Sequence, residues 1–172
     1  MKKALLTLVF IAVSQIGFAQ NTKVPANQTN AINMLLNKWH KSAAEAKFDQ
    51  YFSFLSTDAI YIGTDATENW NVDQFKAFAK PYFDKGKAWN FTALERHVFF
   101  SPDGNFAWFD ELLDTQMKIC RGSGVLKKVE GKWKIAHYVL SVTVPNDDID
   151  KVISIKTPAE EKLIQEFKRD KP

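Results

Sequence analysis

The chain has 172 residues, 45% of them hydrophobic and 25% charged, with 23 basic against 20 acidic side chains. That is enough for one domain with a real core, and the near-balance of charge, with no Lys/Arg-rich run, argues against a nucleic-acid partner. One cysteine, Cys120, rules out an internal disulfide framework, and it has no Cys or His neighbour at zinc-ligand spacing, so a half-buried structural thiol and no metal are expected.

The N-terminus reads as a secretory signal. Met1-Lys2-Lys3 is a basic start, Ala4 to Ile16 is a short apolar stretch, and Gly17-Phe18-Ala19 places small residues at −3 and −1 of a cleavage site. Such a stretch is short for a membrane span. Cleavage after Ala19 would remove Lys2 and Lys3, leaving 21 basic against 20 acidic groups. The expectation is an exported protein, periplasmic or secreted, with no membrane attachment after cleavage.

Residues 20–29 read as a flexible polar leader, and residues 30–152 as the folded domain. Thr29 or Asn30 can cap a first helix, along which Ile32, Leu35, Leu36, Trp39, Ala43 and Ala46 recur at helical spacing. Phe48, Tyr51, Phe52 and Leu55 suggest a second, short helix. Asp58 to Gly63 is a short strand ending in the turn Gly63-Thr64-Asp65. Asn71 with Gln74 forms a capping-box pattern opening a third helix, which Pro81 should kink or end.

Beyond this the period changes to that of strands. Trp89 to Ser101, Phe106 to Asp114, Arg121 to Val129 and Lys132 to Val144 read as four strands, with turns at Ser101-Pro102-Asp103-Gly104 and Glu130-Gly131. Pro145 stops the sheet. Residues 153–172 form a charged tail, in which Pro158 to Lys168 suggests a helix capped by Thr157. Helices collected before an antiparallel meander indicate an α+β fold, a curved sheet wrapped around its N-terminal helices with a cavity at the open end.

The order of elements and several local strings resemble the SnoaL-like domains, part of the cone-shaped superfamily that includes nuclear transport factor and ketosteroid isomerase. The strings are Tyr61-Ile62-Gly63 with Thr64-Asp65-Ala66-Thr67-Glu68, then Ala107-Trp108-Phe109-Asp110-Glu111, Arg121-Gly122-Ser123-Gly124-Val125-Leu126, and Trp133-Lys134-Ile135 up to Leu140-Ser141. The resemblance covers roughly residues 31–152. It implies a cone with an apolar pocket and often a homodimer through the outer sheet face. It does not imply one activity, because the superfamily holds isomerases, cyclases, dehydratases and binding proteins.

Asp110, Glu111 and His137 are the candidates for acid–base chemistry. Asp110 and Glu111 are adjacent on a strand and point to opposite faces, and either can instead form a structural ion pair with Arg121. His137 follows Trp133 and Ile135 at strand spacing, and Tyr138 points the other way as a competing pocket hydroxyl. His40 is expected to be exposed, and His97 has no evident partner. Trp39, Tyr61, Asp65, Trp70, Trp108, Arg121 and Tyr138 are the ligand-binding candidates. The expected partner is a small, partly apolar molecule, with no cofactor. Catalysis without a cofactor (isomerisation, dehydration, cyclisation or hydrolysis) and a homodimeric interaction module are the alternatives.

Overall fold

The computed structural model describes residues 26–169. The expected signal, residues 1–19, lies outside them. Helix α1 (Ala26–Ala44) begins before Thr29 and Asn30, so these two lie inside it rather than capping it, and the leader expected over 20–29 is helical from Ala26. Ile32, Leu36, Trp39 and Ala43 form its buried stripe. Burying an Ile or Leu side chain of this kind contributes roughly 1.5–3 kcal/mol. Helix α2 (Phe48–Ser53) turns Tyr51 and Phe52 into the same core.

Strand β1 (Leu55–Ile62) pairs with β2 (Asn69–Asn71), a short strand that the sequence pattern did not suggest. Helix α3 (Val72–Asp84) opens with the expected capping box: Asn71 accepts from the Gln74 backbone and Gln74 accepts from the Asn71 backbone, each at 3.0 Å. Pro81 neither ends nor terminates this helix early. It is exposed, so the carbonyl it leaves without a donor can turn to water, and the following turn delivers Phe83 to the core.

Strands β3 (Thr92–Phe100), β4 (Phe106–Thr115), β5 (Lys118–Val129) and β6 (Lys132–Val142) form the meander. Their six-stranded sheet has the order β2-β1-β6-β5-β4-β3. It is antiparallel except where β1 runs parallel to β6. The β5–β6 hairpin turns through Glu130 and Gly131, both at positive φ (51° and 76°), the pairing that matches a twisted two-residue hairpin. The helices cover the inner face, so the fold is the expected α+β sheet curled around its N-terminal helices.

Helix α4 (Ile149–Arg169) starts well before the helix expected at Pro158 and carries Pro158 inside it. The hydroxyl of Thr157 donates to the Ile153 carbonyl at 2.7 Å, so Thr157 is an interior residue and not a cap. None of the side chains of α4 is buried. Among the described residues, no helix is long and apolar enough to cross a membrane.

Candidate functional site

Two features lie on the inner face of the sheet: an aromatic cavity and a buried carboxylate. The cavity is built by register. Tyr61 of β1 faces Trp70 of β2 and Tyr138 of β6 across the two adjoining ladders. Helix α3 presses Phe75 and Phe78 onto this row. Tyr61 stacks on Phe75 with centroids 3.9 Å apart, and Trp70 stacks on Phe78 at 4.4 Å. The resulting cavity of about 130 Å³ is lined by Tyr61, Trp70, Phe75, Phe78, Trp89 and Phe91, with Thr64, Glu68 and Gln116 as polar groups. A wider space of about 540 Å³ shares Phe78, Trp89 and Gln116 with it and opens it outward. Burial pushes the Tyr61 hydroxyl far above its ordinary range, so it stays a neutral donor.

The carboxylate belongs to Glu111 of β4, which is 1% exposed. Its Oε1 lies 2.9 Å from His40 Nε2 and accepts from the Tyr138 hydroxyl at 3.1 Å. Its Oε2 accepts from Arg96 Nε at 2.8 Å, and Arg96 Nη2 lies 2.7 Å from the same oxygen. Arg96 Nη1 reaches back to Asn37 Oδ1 at 2.9 Å. Burial alone would push the Glu111 carboxyl up, but the bonds and charges of His40 and Arg96 outweigh it and hold the group below the usual glutamate range. Gly122 sits opposite Glu111 on β5. A Cβ there would lie 2.3 Å from the Tyr138 hydroxyl and 3.0 Å from Glu111 Oε1, so a glycine is needed for this pair to meet over the sheet.

The three acid–base candidates are not brought together. Glu111 points inward with Ala107, Phe109 and Leu113, while Asp110 points outward with Phe106 and Trp108. Asp110 Oδ1 lies 3.0 Å from His97 Nδ1, and Glu95 lies 3.2 Å from the other ring nitrogen, so His97 has two partners where none was evident. The Asp110 hydrogen bond and charge raise the His97 pKa. His137 does not share a face with Ile135. Ile135 pairs with Leu126 and His137 with Val125, which leaves Ala136 as an extra residue, a β-bulge. The bulge turns Ile135 and Tyr138 inward and His137 outward, on one row with Ile60, Val125, Trp108 and Phe99.

The alternative of an ion pair between Arg121 and Asp110 or Glu111 does not form. Arg121 is exposed on the outer face, and Arg96 holds Glu111 instead. Trp108 is also on the outer face, stacked on Phe99 at 5.9 Å. Trp39 is core, between Tyr51 and Tyr138. Asp65 folds its carboxylate onto the Thr67 backbone and hydroxyl, at 2.9 and 2.6 Å, in a loop beside α4; its neighbours Thr64 and Glu68 line the aromatic cavity and Asp65 itself does not. Tyr61 and Trp70 line the cavity, and Tyr138 joins it to Glu111. Cys120 is fully buried rather than half-buried, 3.5 Å from the Thr115 hydroxyl.

His40 was expected to be exposed but is buried. Its spacing from Ile32, Leu36 and Ala43 places it on the apolar stripe of α1, a signal masked by the neighbouring Trp39. Arg96 shares strand parity with Val98 and Phe100, which also marked it as inward-facing.

Residues 32–145 match the SnoaL-like domain family. The chain belongs to that family. No curated protein matches it. Among solved structures, it is similar to an NTF2-like protein of unknown function from Pseudomonas putida, at 12% identity over 70% of this chain and 89% of the other, with a TM-score of 0.59. A proposed dehydratase of the NTF2-like family from Streptomyces avermitilis aligns at 10% identity over 71% and 100%, with a TM-score of 0.61. A proposed calcium/calmodulin-dependent kinase II association domain from Exiguobacterium sibiricum aligns at 15% identity over 72% and 98%, with a TM-score of 0.53. These likenesses show the SnoaL-like cone fold and carry no activity to this chain.

Proposed function

We propose that this SnoaL-like domain is an exported binding protein that takes a small, partly apolar molecule into the aromatic cavity of its cone. The observation that carries this reading is the lining itself: stacked aromatic rings, with Thr64, Glu68 and Gln116 as polar groups. Cavity and mouth together fall in the size range of ordinary small-molecule sites, about 300–1,000 Å³. Flat aromatic walls favour a planar or alicyclic ligand, and the Glu68 carboxylate favours a ligand with a hydrogen-bond donor. Export rests on the leader pattern of residues 1–19.

Binding is preferred over cofactor-independent acid–base catalysis because Glu111 is closed to solvent and saturated by three side chains. A carboxylate held ionised by His40 and Arg96 is a weak proton acceptor. The outer sheet face supports a homodimer as part of the same proposal: Phe99, Phe106 and Trp108 are each about half exposed there, an arrangement that commonly marks an interaction surface. The neighbour named an association domain shares this fold.

Calorimetric titration with a panel of single- and double-ring compounds, each carrying one polar group, tests the reading. Saturable heat with a negative heat-capacity change is expected for at least one of them. A panel that yields no saturable binding by the wild-type protein removes the proposal.

A further inference from the structure

The His40 ring contributes to a second pocket, separate in chemistry from the aromatic cavity. This pocket has a volume of about 320 Å³ and lies between the side of α1 and the start of β3, lined by Asn37, His40, Lys41, Asn90, Phe91 and Thr92. Phe91 lines both spaces and stands edge-on to His40 with centroids 5.8 Å apart. The His40 side chain is 4% exposed. Its Nε2 is committed to Glu111, and its Nδ1 makes no hydrogen bond among the described residues. Asn37 spends its Oδ1 on Arg96, so its amide N–H groups remain for a ligand. Lys41 adds a cation on a mostly exposed side chain. No acidic side chain lines the pocket, and the charge of Glu111 behind His40 is offset by Arg96.

We propose that this pocket is a second ligand site that binds a small carboxylate, with His40 as the proton-carrying contact and Lys41 as the charge that draws the anion in. The buried Glu111 fixes the ring so that Nδ1 is the free nitrogen. A carboxylate can accept from Nδ1 only when that nitrogen carries a proton. Because Nε2 also donates, to Glu111, the bound form holds the imidazolium. Binding therefore takes up one proton whenever His40 is neutral beforehand, and affinity falls as pH rises. The groups facing the ring are Glu111 from β4, Arg96 from β3 and Tyr138 from β6, with Lys41 on its own helix. Of these, burial pushes the Tyr138 hydroxyl well above its ordinary range, and Glu111 is held below the usual glutamate range. His40 is thus the group that sets the dependence.

The test is a titration of the protein with butanoate, with n-butanol as the uncharged control, read from the His40 imidazole nitrogens by long-range ¹H–¹⁵N NMR. Butanoate is expected to move Nδ1 saturably toward the protonated position, and n-butanol to leave it unmoved. The affinity should fall as pH rises, because the bound form holds the extra proton. Lys41→Met should weaken binding by about tenfold with an unchanged unfolding midpoint, since its partner Glu45 is a surface residue. Lys41→Met keeps the reporting ring and its bond to Glu111 in place, so it is the deciding variant. An Nδ1 unmoved by butanoate, an equal response to n-butanol, or a response that survives unchanged in Lys41→Met overturns the proposal. The readout is independent of ligand binding by the aromatic cavity, so either reading can fail alone.

Discussion

Glu111→Gln keeps the shape of the side chain and removes its charge, leaving Arg96 buried without a counter-ion. Breaking one partner of a buried pair costs about 3–5 kcal/mol, so urea unfolding should show a loss of that order, and Arg96→Met added to Glu111→Gln should cost less than the sum of the two single changes. The same residue fixes an acid response. Its folded pKa lies below its unfolded value, whose ordinary figure is 4.5. The stability it contributes is therefore fully present above that pH and is lost as pH falls through the folded value. Unfolding free energy measured against pH should fall more steeply below about pH 4.5 in the wild type than in Glu111→Gln. Gly122→Ala should cost about 1–3 kcal/mol by overpacking, because its new Cβ would meet the Tyr138 hydroxyl at 2.3 Å. Tyr138→Phe on that background should restore part of the loss, a result visible in chemical-denaturation midpoints and absent if Gly122 were merely flexible.

At the level of elements, the β6 bulge decides which residues can meet a ligand. Strand periodicity put Ile135 and His137 on one face, and it would have been right for a regular strand. The extra residue, Ala136, carries no turn chemistry to announce it, since Ala is compatible with either geometry. Deleting Ala136 leaves Ile135, His137 and Tyr138 opposite Leu126, Val125 and Gly124 in strict alternation, with Ile135 and Tyr138 still inward. The variant should therefore keep a cooperative urea transition, and loss of that transition would show that the bulge is needed elsewhere in the sheet. The α3 capping box and the Glu130-Gly131 hairpin were legible because their chemistry is local. The inward position of Glu111 was not, because the residues flanking it are apolar on both faces of β4, and parity decides only when one face is polar. Arg96 and His40 come from other elements, 15 and 71 positions away along the chain, and no local pattern links them to Glu111. Helix α4 has no buried side chain, so removing residues 149–172 should leave the thermal midpoint of the domain nearly unchanged.

For the whole molecule, the curled sheet separates two surfaces. The inner one holds the aromatic row and the buried ion network. The outer one holds Phe99, Trp108 and Val125 beside His97 and His137. If the outer face joins two copies, Trp108→Glu should shift the mass measured by light scattering from dimer to monomer while leaving ligand binding in the cone in place. Trp70 in the cavity and Trp108 on the outer face thus report on different surfaces, although sequence alone offered both as ligand-binding candidates. The most direct measurement is a calorimetric titration of wild type, Trp70→Ala and Trp108→Ala with the tightest compound of the aromatic panel. The aromatic-cavity account predicts about tenfold weaker binding for Trp70→Ala, near 1.4 kcal/mol, and no change for Trp108→Ala. Unchanged affinity in Trp70→Ala, or a loss confined to Trp108→Ala, would contradict it.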